Sequence, residues 1–153
     1  MKRAIIVYES VYGNTKKVAE AIADGIRSVP NIECKVAKTG EIHTDEICDY
    51  DLLVFGAPNH NQGPALNMIK FLERAAIVHV EGKMGGVFDT YTGGNKGIAV
   101  AKLSAIVKEK YPGIQLVENG ISAKVEGRKG PLAKDEEQNA KNFGEKVAKK
   151  LLG

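Results

Sequence analysis

The chain has 153 residues, enough for one domain with a single substantial core. Its 43% apolar and 27% charged residues are those of an ordinary globular protein, and no apolar run approaches the roughly 20 residues of a bilayer span. The net charge of +3 comes from scattered lysines, which argues against a nucleic-acid surface. Met1-Lys2-Arg3 opens like a signal peptide, but the apolar stretch Ala4–Tyr8 is too short, so a cytoplasmic protein starting near Met1 is expected. Cys34 and Cys48 lack metal or redox spacing and read as reduced cysteines in or near the core.

Strand-like and helix-like segments alternate along the whole chain. Ala4–Tyr8 is a β-branched run suited to a strand buried on both faces. After Ser10–Thr15 a helix follows, with Val18, Ile22 and Ile26 on one face, ended by Pro30. Ile32–Ala37 reads as a second strand, and Thr44 opens a short helical turn within Gly40–Tyr50. Leu52–Ala57 is a third strand, and Pro58–Gly63 a polar loop. A helix over Pro64–Ala76 is expected, with proline in its first position. Lys83–Asp89 is a fourth strand, weakened by Gly85-Gly86, and the glycine-rich Thr92–Gly97 leads into a helix over Ile98–Lys110. Ile114–Glu118 is a fifth strand, with Ile121–Val125 as its candidate extension after Gly120. A helix from about Lys134 to Leu152 closes the chain, acidic in its first turn and basic in its last.

Five such units in a chain without linker or repeat imply one α/β domain over 1–153, a doubly wound five-stranded parallel sheet with helices on both faces. In such sheets ligands sit beyond the carboxyl ends of the strands, where strand order reverses. That directs attention to the loops after strands one, three and four.

The first loop is Ser10-Val11-Tyr12-Gly13-Asn14-Thr15. The hydroxyls of Ser10 and Thr15, the Asn14 amide and backbone N–H groups at a helix start can converge on a phosphate, and Gly13 permits the tight turn. Ordinary helix capping would need only one of these side chains. The loop holds no Lys or Arg, so a phosphate monoester would meet mainly neutral donors. Its shortness favours a mononucleotide, and neither the Gly-x4-Gly-Lys-Ser/Thr nor the Gly-x-Gly-x-x-Gly pattern is present.

Ser-x-Tyr-Gly-Asn-Thr at Ser10–Thr15 resembles the phosphate loop of the flavodoxin family, Ser/Thr-x-x-Gly-x-Thr, directly after strand one. The likeness extends through Gly56-Ala57-Pro58 and the Tyr-plus-glycine loop after strand four, and is nearest to the flavodoxin-like modules of flavodiiron-type proteins, here standing alone. It implies strand order 2-1-3-4-5, bound FMN and electron transfer between redox partner proteins, with no catalytic acid, base or nucleophile and no metal.

An isoalloxazine ring calls for an aromatic against one face and polar contacts along one edge. Tyr91 is the stacking candidate, within Asp89, Thr90, Tyr91, Thr92, Gly93 and Gly94. The resemblance implies that Pro58, Asn59, His60, Asn61 and Gly63 wrap the other side, where one backbone carbonyl can rotate towards a protonated ring nitrogen. The chain has no Trp, and His60 is either the second ring contact or a solvent-facing residue. His43 and His79 lie outside these loops.

Between Ala57 and Pro64 there is no carboxylate, and Glu9 and Asp89 are the nearest acids in sequence. Weak repulsion of a reduced, anionic flavin and an acidic redox partner are therefore expected, with the protein a monomer or weak dimer. The alternatives are an NAD(P)H or quinone reductase on the same fold, for which no long insertion is visible, and a domain that has lost flavin. Gly127–Pro131 reads as either a surface turn or a contact loop. A phospho-acceptor module fits poorly, because Glu9-Ser10 and Gly56-Ala57-Pro58 stand where paired acids and an aspartate belong.

Overall fold

The computed structural model describes residues 1–76 and 79–153. Strands β1 (Lys2–Tyr8), β2 (Ile32–Lys38), β3 (Leu52–His60) and β5 (Met84–Tyr91) pair in parallel in the order β2-β1-β3-β5. Two short strands, β6 (Gln115–Leu116) and β7 (Ile121–Lys124), pair in parallel with successive parts of β5. The expected order 2-1-3-4-5 therefore holds, with the fifth position filled by a strand in two pieces. Glu118 and Gly120, both at positive φ, make the break between them.

Alternation within the apolar runs sends successive side chains to opposite faces. Ala4, Ile6, Leu52, Val54 and Phe88 pack under α1 (Asn14–Arg27) and α4 (Glu136–Leu152). Ile5, Val7, Leu53, Phe55 and Val87 pack under α2 (Leu66–Ala75) and α3 (Ile98–Lys110). Gly85 and Gly86 do not weaken β5. A Cβ at Gly85 would lie 2.8 Å from Ile114 Cδ1, and one at Gly86 3.4 Å from the Phe143 ring, so the pair makes room for core side chains on both faces.

Several boundaries differ from expectation. Pro58–Gly63 is not a free loop: β3 continues to His60, and Asn59 and His60 pair antiparallel with β4 (Gly63–Pro64). Asn61 and Gln62 at the tip have φ of 51° and 66°, the arrangement of a tight two-residue hairpin. Pro64 consequently ends this ribbon rather than opening α2, which begins at Leu66. The helix at Thr44 is a 3-10 helix, Thr44–Asp49, and α4 starts two residues later than expected, after Asp135 at φ 71°. Cys34 is half-buried, its thiol pushed up to about 11 by burial, whereas Cys48 is exposed and not a core residue.

Candidate functional site

The carboxyl ends of β1, β3, β5 and β7 open on one side of the sheet, and a cavity of about 420 Å³ lies there. That volume falls within the range of small-molecule sites. Ser10, Val11, Tyr12, Asn14 and Thr15 form one wall, Pro58, Asn59, His60 and Asn61 a second, and Thr90, Tyr91 and Thr92 a third. The structure thus brings together the three segments singled out from the sequence. Gly13, Gly63, Gly93 and Gly94 shape these segments without lining the cavity, and His43 and His79 lie outside it.

In the first wall the Ser10 hydroxyl oxygen accepts the Gly13 N–H at 3.0 Å, closing the turn and leaving the Ser10 proton to donate elsewhere. Gly13 sits at φ 90°, the left-handed region, with open space where a Cβ would stand. Because Gly13 has no side chain, α1 begins with no side-chain cap. The first N–H groups of a helix have no partners within it, and the macrodipole adds partial positive charge. Thr15, almost fully buried, shares a 2.8 Å hydrogen bond with the Thr90 hydroxyl, which fixes this wall to the third.

Tyr91 reaches the cavity from the end of β5 and is 8% exposed. Burial, then the charges of Glu136 and Asp89, pushes its phenol above the usual range. Val11 and Tyr12 remain exposed at the rim. Asn59 Oδ1 is buried and has no hydrogen-bond partner among the described residues.

Asp89 is not at the cavity. Its neighbours Thr90 and Phe88 face α1, so alternation turns Asp89 towards α3. There Oδ2 accepts the Val100 N–H at 2.7 Å and Oδ1 accepts the Ser122 hydroxyl at 2.5 Å. Ser122 in turn accepts the Gly97 N–H at 2.9 Å. Burial raises the Asp89 carboxyl pKa, and the bonds from Ser122 and Val100 oppose the rise. Glu9 is likewise occupied elsewhere, accepting the Thr39 hydroxyl at 2.6 Å with Lys38 Nζ at 3.8 Å. No carboxylate therefore lines the cavity among the described residues.

Two further lining residues, Val125 and Arg128, come from the segment after β7; the sequence marks Gly127–Pro131 as a surface turn or contact loop but does not assign either residue to the cofactor site. The available signal was positional: a Gly-Arg-Lys-Gly-Pro turn follows the last strand, whose carboxyl end opens on the same edge.

Residues 6–110 match the family model described as Flavodoxin. The chain belongs to the flavodoxin family. A flavodoxin from Clostridium saccharobutylicum is 26% identical over 152 residues, with 95% of each chain covered. An NAD(P)H dehydrogenase (quinone) from Acidithiobacillus ferrooxidans is 31% identical over 106 residues, 56% of this chain and 53% of that one. Among solved structures, a flavodoxin from the domain Archaea superposes with a TM-score of 0.85 at 26% identity, covering 99% of both chains. The rubredoxin oxygen:oxidoreductase of Desulfovibrio gigas shares the fold, with a TM-score of 0.81 at 21% identity over 98% of this chain and 36% of that one.

Flavodoxin family members bind FMN and pass electrons to redox partner proteins. The residues present fit such a cofactor. An uncapped helix start suits its phosphate. The flat, buried Tyr91 offers an aromatic surface for its ring. Beyond the family match itself, no membrane-crossing helix is present among the described residues.

Proposed function

We propose that this chain binds one FMN in the cavity and shuttles electrons between redox partner proteins. One observation carries the reading: an uncapped α1 N-terminus and a buried tyrosine face the same cavity, which no carboxylate lines among the described residues. Ser10, Asn14, Thr15 and the first N–H groups of α1 hold the phosphate, while Tyr91 and the ribbon Pro58–Asn61 flank the ring. FMN supplies the redox chemistry when bound. The protein positions it, limits water around it and sets the charge it meets.

That charge is positive. The four segments 10–17, 58–63, 90–97 and 125–130 carry Lys16, Lys17, Lys96, Arg128 and Lys129 against Glu126 alone. This rim favours an acidic partner and destabilises reduced, anionic flavin little. Purified protein should be yellow and release a chromophore with the mass of FMN. Colourless protein that takes up no added FMN defeats the reading. Reduction by an acidic partner should slow as salt is raised, and equal rates at all ionic strengths contradict the charge argument.

A second reading, a flavin-dependent NAD(P)H–quinone reductase, rests on the 31% identity to the Acidithiobacillus ferrooxidans protein over about half of each chain. Steady-state turnover with NADH or NADPH and a quinone separates the two: a carrier shows none.

A further inference from the structure

The turn after β7 is built as a rigid presenter of cations. The Gly130 N–H donates to Gly127 O at 3.0 Å, closing a four-residue turn with Arg128 and Lys129 at its two central positions. Its base is clipped by Glu126 N–H to Pro131 O at 2.8 Å and by the antiparallel bridge between Val125 and Leu132. Below that, Lys124 N–H donates to the Glu136 carboxylate.

This turn stands against the loop Ser10–Thr15. A Cβ on Gly130 would lie 2.8 Å from Asn14 Oδ1, so backbone approaches the start of α1 with no room for a side chain. Lys129 Nζ stands 5.8 Å from the centroid of the Tyr12 ring and does not line the cavity. Arg128 instead lines the cavity and has no ion-pair or hydrogen-bond partner among the described residues.

We propose that Arg128 binds the phosphate of the cofactor, adding to the neutral donors of Ser10–Thr15 the one cation they lack. The inference rests on the reading of the cavity as an FMN site. A monoester phosphate carries close to two negative charges at neutral pH, since its second pKa is about 6. A helix start offers only about half a unit charge in compensation. The guanidinium fork pairs two phosphate oxygens at once, which a lysine does not. The consequence is selectivity: the site tells FMN from riboflavin by charge as well as by hydrogen bonds.

The test measures dissociation constants of FMN and riboflavin for the apoprotein by quenching of flavin fluorescence, in wild type, Arg128→Gln and Arg128→Lys. Arg128→Gln should bind FMN about tenfold more weakly while its riboflavin constant stays unchanged. Arg128→Lys should recover part of the loss. In wild type the preference for FMN should rise between pH 5 and 7.5 as the phosphate loses its second proton, and the rise should be shallower in Arg128→Gln. Unchanged FMN affinity in Arg128→Gln, or equal losses for both flavins, overturns the assignment. Wild type that binds neither flavin removes the FMN reading itself, an outcome distinct from either. Arg128 is exposed on a turn, so folding of the variants is not at stake.

Discussion

The hydroxyls of Thr15 and Thr90 lie 2.8 Å apart, both buried, and join the start of α1 to the end of β5. One hydroxyl donates to the other, and both residues also line the cavity. Thr90→Val keeps the shape but leaves the Thr15 hydroxyl without its partner, at a cost of about 1–2 kcal/mol in stability. Urea unfolding measures this. The Thr15→Val, Thr90→Val double variant should be less destabilised than the sum of the singles, because both polar groups then leave together. Additive losses would show that the pair is not coupled.

A second expectation concerns how α1 meets α4. A Cβ on Gly144 would lie 2.0 Å from Ile22 O, and one on Gly25 2.0 Å from Lys141 O. The helices touch backbone to backbone, and neither contact has a flexible side chain that can yield. Gly144→Ala should therefore destabilise by about 1–3 kcal/mol or more, against the roughly 1 kcal/mol that alanine gains over glycine within a helix. Thermal unfolding that matches wild type refutes the close crossing.

Asp89 gives a pH dependence with a definite sign. Burial raises its folded pKa above the unfolded value, so its contribution is greatest below the unfolded pKa and is lost as pH rises through the folded one. Asp89→Asn removes that titration and also leaves either Val100 N–H or the Ser122 hydroxyl without its acceptor. Wild type should therefore gain stability relative to Asp89→Asn as pH falls from 7 towards 4. Denaturant titrations at several pH values check this. A gap that closes on acidification reverses the sign and with it the buried-carboxylate account.

The parallel sheet and the site loops were legible because their signals are local. Buried strands read as unbroken β-branched runs, and Ser10–Thr15 combines a glycine with three polar side chains at a strand-to-helix junction. What stayed hidden depends on partners distant in sequence. Asp89 follows an apolar strand and looks like a site acid until Val100 and Ser122 are seen to claim it. Pro64 has the pattern of a helix start, but pairing of Asn59 and His60 across the Asn61–Gln62 turn decides its place. Arg128 belongs to a turn whose proximity to Asn14 only the closed sheet creates.

Tyr91 and Arg128 should fail in different ways when changed, which separates the two ends of the site. Tyr91 lines the cavity as a buried ring at the end of β5, so its contribution is contact with an apolar surface rather than with charge. Stacked aromatic pairs contribute about 0.5–1.5 kcal/mol beyond area burial, so Tyr91→Leu should weaken flavin binding roughly two- to tenfold. Unlike the loss at Arg128, this one should be the same for FMN and riboflavin and insensitive to salt. Tyr91→Phe keeps the ring and should bind as wild type does. The absorption bands of bound flavin should shift in Tyr91→Leu and stay in place in Tyr91→Phe. A loss confined to FMN would assign Tyr91 to the phosphate, and equal losses in Phe and Leu variants would assign its role to the phenol hydroxyl.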